Sequence, residues 1–294
     1  MRLISCRTAT GETLGVAAGD RWLPASEVLD GGPATMDELI AGGPDRLTAL
    51  SNRVEGSQIA ERGRPLADAE LLAPVPRPGK IVAIGRNYRE HTAEEGVEPP
   101  PAPLIFAKFP SAVVGHGAEV RWDPGLSGQV DYEAELAVVI GRPARHVGVA
   151  EALDYVLGYT CLNDVSARDI QFGDGQWVRG KSLDTFCPMG PELVTADEIG
   201  DPQDLAISCS VGGERLQEAR TSAMYFGVAE IISYCSTSFT LEPGDVIATG
   251  TPGGVGVFRD PPRFLGDGDR VTVEIERIGR LENVCRFVSV EAVA

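Results

Sequence analysis

Residues 129–141 read QVDYEAELAVVIG, with acids at alternate positions, Asp131, Glu133 and Glu135, running directly into Ala137-Val138-Val139-Ile140. The β-branched run reads as a strand entering a core, where unpaired carboxylates are costly to bury. Successive side chains in a strand point to opposite faces, so Glu133 and Glu135 share one face, roughly 7 Å apart. Tyr132, Ala134 and Leu136 take the other face. Carboxylates held that close repel each other unless they share a proton or bind a cation. With no nearby Cys or His, a hard divalent ion, Mg²⁺ or Mn²⁺, is the natural occupant. An edge strand with a wet acidic face fits the same alternation.

Outward from this stretch, the chain beyond Lys80 is mostly strand patterns between turn signals: KIVAIG, PLIFAK, AEVRW, YVLGYTCLND, DLAISCSVGG, DVIATG, RVTVEIERIG and ENVCRFVSV. Helical patterns are fewer, chiefly NYREHTAEEG, VAEALDYV and TSAMYFGVAEIISYCS. Many strands with few crossovers predict a mainly β fold with some α, a mixed and mostly antiparallel roll or sandwich. Residues 1–76 read as a small N-terminal α+β domain, with strand candidates RLISCRT and TLGVAAG ahead of two helical patterns. The Pro-rich APVPRPGK, residues 73–80, separates it from a second, larger domain over 77–294.

Composition narrows the partners. A formal charge of −17 argues against nucleic acid or anionic lipid, since a phosphate surface needs clustered positive charge. No window approaches the roughly 18 apolar residues of a membrane span, so the expectation is a soluble, cytoplasmic protein. The six cysteines lie far apart with no CxxC pair and read as reduced core residues. Of the 26 basic residues only Lys80, Lys108 and Lys181 are lysines. A lysine kept against that bias suits a task needing a compact point charge, although chance explains a single one as well.

Several further groups carry chemistry. Asp164 closes the apolar strand pattern YVLGYTCLND, where it can serve as a third metal ligand or as an N-cap. His91 and Glu94 are spaced i, i+3 on a short helix, so the carboxylate can orient the imidazole as a general base, or the two form a surface pair. Lys181, between Gly and Ser in a segment without helical period, can reach a cleft and stabilise a developing enolate or a carboxylate. Thr251 opens the glycine-rich turn TGTPGGVG, whose freed N–H groups suit a carboxylate. His116 and His146 sit in turn-rich surroundings and read as structural, and Lys80 as surface.

Taken in order, GRNYREH with Glu94 after it, EAE, NDVSARDIQ, GKS and TGTPGGVG resemble the fumarylacetoacetate hydrolase family, over residues from Lys80 to the carboxyl end. The resemblance implies a mixed β-sandwich roll, a homodimer, and a divalent metal held by Glu133, Glu135 and Asp164. It further implies a water-activating dyad of His91 and Glu94, an active-site Lys181, and Gln171 and Thr251 as substrate contacts. Arg86 and Lys108 are further candidates for binding a substrate anion.

The chemistry so implied is Mg²⁺-dependent cleavage of a C–C bond in a 2,4-dioxo acid, of the acylpyruvate or diketo-deoxy sugar acid type, to a carboxylic acid and a pyruvate-like 2-oxo acid. The same enolate serves an oxaloacetate-type decarboxylase or a diacid isomerase, and a non-catalytic metal and small-acid binder is the remaining alternative.

Overall fold

The structure, a computed structural model, describes residues 1–9 and 11–289. The strand Ala134–Ile140 is buried at all seven positions and lies near the middle of a twelve-stranded sheet. Its neighbours Val156–Asn163 and Val246–Ala248 both run antiparallel to it. On one side the sheet continues through Ile81–Gly85 to a free edge at Leu104–Lys108. On the other it passes through Cys187–Thr195 to Arg2–Thr8, Gly11–Ala18 and Arg21–Pro24. A second, five-stranded sheet holds Glu214–Arg220, Ala206–Val211, Arg270–Ile275, Gly279–Phe287 and Glu119–Trp122 in that order. This is the mainly β, mixed architecture the resemblance implies.

Alternation along Ala134–Ile140 feeds two cores. Leu136, Val138 and Ile140 pack with Ile207, Cys209, Val271 and Val273 of the second sheet. Ala137 and Val139 face the opposite core, with Leu3, Leu14, Val16, Leu39 and Leu50 from the first 76 residues. A fully buried aliphatic side chain contributes about 1.5–3 kcal/mol, so this strand is gripped from both sides. The N-terminal strands join the same sheet directly, with Leu3 opposite Leu193.

The expected unbroken strand from Asp131 is interrupted. Val130–Asp131 pairs with Ser166–Ala167 in a separate ribbon, and Tyr132 and Glu133 lie between it and the central strand. Side chains replace the ladder there: the Glu133 N–H donates to Asn163 Oδ1 at 3.0 Å and the Ala134 N–H to Gln217 Oε1 at 2.9 Å. The two longest strands that escape the sequence patterns are Cys187–Thr195 and Glu214–Arg220. Cys187–Thr195 contains Pro188, Gly190 and Pro191, residues that ordinarily argue against a strand. Glu214–Arg220 is mostly charged and lies at an edge.

The helical expectations hold in part. Arg89–Glu95 is a helix, VAEALDYV a 3₁₀ segment, and only Val228–Ser238 of the long third pattern is α-helical. Lys181 ends a one-turn helix, Val178–Lys181, rather than lying in an aperiodic turn. All six cysteines are free and buried. Lys80 is half exposed but not idle, since its ammonium pairs with the buried Asp245. Among the described residues, no helix is long and apolar enough to cross a membrane.

Candidate metal centre and active site

Three carboxylates converge where the central strand begins. Glu133 comes from the break, Glu135 is the second residue of Ala134–Ile140, and Asp164 follows the end of the paired strand Val156–Asn163. The pairing of Ala134 with Asn163 sets these ends side by side. The three are buried, and each offers a ligand oxygen within 4.8 Å of the others. They form a carboxylate cluster that can hold a metal ion.

Two of the three are already compensated. Lys181 Nζ donates to Glu133 Oε2 at 2.7 Å and to Asp164 Oδ2 at 2.8 Å. Arg168 Nη1 lies 2.8 Å from Glu133 Oε1, and Lys108 Nζ donates to Asp164 Oδ1 at 2.6 Å. Burial alone would raise the pKa of Glu133, but Lys181 and Arg168 outweigh it and hold the carboxyl near 2. Glu135 differs: its one hydrogen bond is from the Gly250 N–H at 2.8 Å, and no basic side chain is paired with it among the described residues. Burial, then the charges of Asp164 and Glu133, push its pKa well above the ordinary carboxylate value.

Asp131 does not join the cluster. Arg168 Nε donates to its Oδ2 at 2.9 Å, and the N–H groups of Gly256 and Val257 donate to its two oxygens. The alternating acids therefore divide, two toward the cluster and one toward an arginine. Counted together, Asp131, Glu133, Glu135 and Asp164 face Arg168, Lys108 and Lys181, leaving one negative charge in surplus, on Glu135. A divalent cation bound there converts the surplus into a net positive charge and suits an anionic substrate.

The i, i+3 spacing of His91 and Glu94 does bring the two side chains into contact. His91 Nδ1 lies 2.8 Å from Glu94 Oε1 on the helix Arg89–Glu95. The other oxygen of Glu94 accepts the Gly254 N–H at 2.7 Å, tying the dyad to the glycine-rich turn. Glu94 Oε1 accepts a hydrogen bond from Nδ1–H of the neutral imidazole, which leaves the Nε2 lone pair of His91 as the basic site.

His91, Glu133, Glu135, Gln171, Lys181, Thr251 and Arg86 line one cavity of about 130 Å³. Phe106, Phe172, Trp177 and Phe258 supply its apolar wall. A larger groove of about 640 Å³, between residues 69–76 and 113–118, contains none of these groups. Arg86, at φ +56°, is held at the rim by paired contacts to Glu95 and stacks over Trp177. Gln171 Oε1 accepts from Arg168 Nη1 at 3.0 Å.

Lys108 is a correction. It is buried outside the cavity and donates to Asp164, to the Val165 carbonyl at 3.3 Å and to the Lys181 carbonyl. It therefore braces Asp164 and the Lys181 backbone instead of lining the cavity. Arg168 and Gln217 join the site without having been expected there from the sequence. The unpartnered Asp131 was a signal for the first; nothing in the local pattern ERLQEAR marks the second.

Sheet order, a carboxylate cluster able to hold a metal ion and the His91–Glu94 pair meet in one place, and comparison with known proteins identifies the class of protein they define. The family model "Fumarylacetoacetate (FAA) hydrolase C-terminal" matches residues 80–286, and the chain belongs to the fumarylacetoacetate hydrolase family. A Bos taurus protein named oxaloacetate tautomerase FAHD2B, mitochondrial, is 46% identical over 253 residues, covering 85% of this chain and 79% of its own. The fumarylacetoacetate hydrolase of psychrophilic Exiguobacterium antarcticum superposes with a TM-score of 0.83 at 35% identity, over 98% of this chain and 100% of its own. A 2-hydroxyhepta-2,4-diene-1,7-dioate isomerase from Mycobacterium marinum does so with a TM-score of 0.75 at 36% identity, over 99% and 100%.

Proposed function

We propose that this protein interconverts the keto and enol forms of oxaloacetate or a closely similar 2-oxo diacid, with Mg²⁺ or Mn²⁺ held by Glu133, Glu135 and Asp164. The observation that carries the reading is the convergence of the surplus-charged cluster, Lys181 and the His91 imidazole on one small cavity. Its volume of about 130 Å³ suits a compact diacid better than a long acyl chain. The bovine relative bearing the tautomerase name supports the same choice.

When bound, the divalent ion polarises the 2-oxo group and offsets the charge of the enolate. The chain's own groups do the rest. His91 Nε2 takes the proton from C3 and, as imidazolium, delivers it to the 2-oxygen of the enolate to give the enol, the reverse path giving the keto form, while Glu94 fixes the tautomer and stabilises the imidazolium. Lys181 sets an ammonium beside the developing enolate oxygen in a water-poor site. Thr251 and Gln171 meet the carboxylate next to the 2-oxo group. Arg86 receives the distal carboxylate by exchanging it for Glu95. The aromatic wall limits access of water to the enolate.

Hydrolysis of a 2,4-dioxo acid is the second reading, and the His91-Glu94 pair favours it, because the same base can activate water against a 4-carbonyl. The test offers purified protein and Mg²⁺ freshly dissolved enol oxaloacetate, following loss of enol absorbance and assaying pyruvate, with acetylpyruvate in a separate tube. Accelerated ketonisation without pyruvate is the expected result. Ketonisation at the background rate overturns the reading. Acetate plus pyruvate from acetylpyruvate would make it a hydrolase, and pyruvate from oxaloacetate above the metal background a decarboxylase.

Arg86 makes the diacid preference testable. Arg86→Gln is expected to raise KM for oxaloacetate about tenfold, on the order of 1.4 kcal/mol, and to leave KM for the 4-methyl ester of oxaloacetate unchanged. Equal losses for diacid and ester would remove Arg86 from substrate recognition.

A further inference from the structure

Thr251 is held by a residue from the second sheet, and the way it is held determines which way its hydroxyl works. Gln217 lies on the edge strand Glu214–Arg220, which pairs with Ala206–Val211 through a register shift at Cys209 and Ser210. Gln217 stands opposite Cys209 and Arg215 opposite Ser210, leaving Leu216 as the extra residue of a bulge. The bulge lets Leu216 and Gln217 both turn inward, where strict alternation would have exposed one of them. The Leu216 carbonyl packs so closely on the glycine-rich turn that a Cβ at Gly254, at φ +98°, would lie 2.2 Å from it.

The amide of Gln217 has one possible orientation. Its Oε1 accepts from the Ala134 N–H at 2.9 Å, which can only donate. Its Nε2 lies 2.8 Å from the Pro252 carbonyl, which can only accept. The remaining contact, Nε2 to Thr251 Oγ1 at 2.8 Å, is therefore a bond in which Thr251 accepts. Gln217 is the one hydrogen-bond partner of that hydroxyl among the described residues, so its proton is free, and Thr251 lines the cavity.

We infer that Gln217 is a positioning residue that makes Thr251 an obligate hydrogen-bond donor toward the substrate carboxylate. It acts through Thr251 without touching substrate, and because it also binds Ala134, between Glu133 and Glu135, it locks the donor in register with the metal ligands. The inference rests on the placement of a substrate carboxylate against Thr251 proposed above.

The test is a double-mutant cycle between Gln217→Met and Thr251→Val, read as the Kd of oxalate for Mg²⁺-loaded protein by calorimetry, with Mg²⁺ affinity and melting temperature measured on each variant. Thr251→Val is expected to weaken oxalate about tenfold and Thr251→Ser by less than about twofold, the first being what a lost bond to a charged group costs. Gln217→Met should weaken oxalate several-fold in the parent and leave it unchanged in the Thr251→Val background. An oxalate Kd insensitive to Thr251→Val would refute the placement of the carboxylate. If Thr251→Val weakens oxalate while Gln217→Met acts equally in both backgrounds, the placement stands and the role given to Gln217 falls. Should Gln217→Met not fold, the same cycle is built with the isosteric Gln217→Glu. Its carboxylate keeps the bond from Ala134 but draws the Thr251 proton away from the cavity, so again only the hydroxyl-bearing background should show the excess loss.

Discussion

Glu135→Ala is expected to lower Mg²⁺ affinity by more than about a hundredfold, beyond what loss of an outer-shell partner usually costs, and to abolish metal-dependent turnover with it. Glu133 and Asp164 keep their lysine and arginine partners when the ion is absent; Glu135 has a single backbone N–H. It is the carboxylate whose charge has no purpose in the apo protein. At a pH above the ordinary carboxylate range, the isosteric Glu135→Gln should therefore raise the stability of the metal-free protein by about 1–3 kcal/mol, since folding no longer has to bury a charge repelled by two neighbours or take up a proton to avoid it. Urea denaturation with chelator and calorimetric Mg²⁺ titration give the two halves. A variant that binds Mg²⁺ normally, or an apo protein destabilised by Glu135→Gln, would contradict the assignment.

His91→Ala should reduce kcat by about 10²–10⁴, the usual contribution of a positioned general base, while Mg²⁺ affinity stays nearly constant. Glu94→Gln should approach the same loss for a reason visible in its second contact. The Gly254 N–H requires an acceptor, so the glutamine oxygen must turn toward it and the amide N–H₂ toward His91 Nδ1. The imidazole is then forced to carry its proton on Nε2, where the base is needed. Turnover at the parental rate in His91→Ala would hand the proton transfer to another group, while a kcat loss matched by loss of Mg²⁺ would reduce His91 to support of the cluster.

Much of this was legible before any coordinates. The acids of QVDYEAELAVVIG abut an apolar run, and a charged pair placed against a core has few physical solutions; the convergence of Glu133, Glu135 and Asp164 is one of them. The i, i+3 spacing of His91 and Glu94 is local and translates directly into a contact. What stayed hidden was non-local. The strand Cys187–Thr195, which joins the N-terminal strands to the rest of the sheet, carries Pro and Gly that disguise it. Lys108 reads as a cavity residue until its strand places it behind Asp164. Gln217 depends on a bulge, and an extra residue in a strand leaves no periodic trace in a charged edge segment.

The scarcity of lysine acquires a practical meaning once the three are located. Lys108 and Lys181 are sealed in the cluster at 1% and 2% exposure, leaving Lys80 as the single solvent-facing lysine side chain, itself leaning on Asp245. Amine-directed reagents that label, cross-link or tether ordinary proteins at many points will find almost one address here, on the side of the sheet where residues 77–81 enter the central strands. Attachment at that address fixes the orientation of the molecule on a surface, and a lysine-reactive compound that spares Lys80 has only Lys181 and Lys108, both against the carboxylate cluster, left among the lysines.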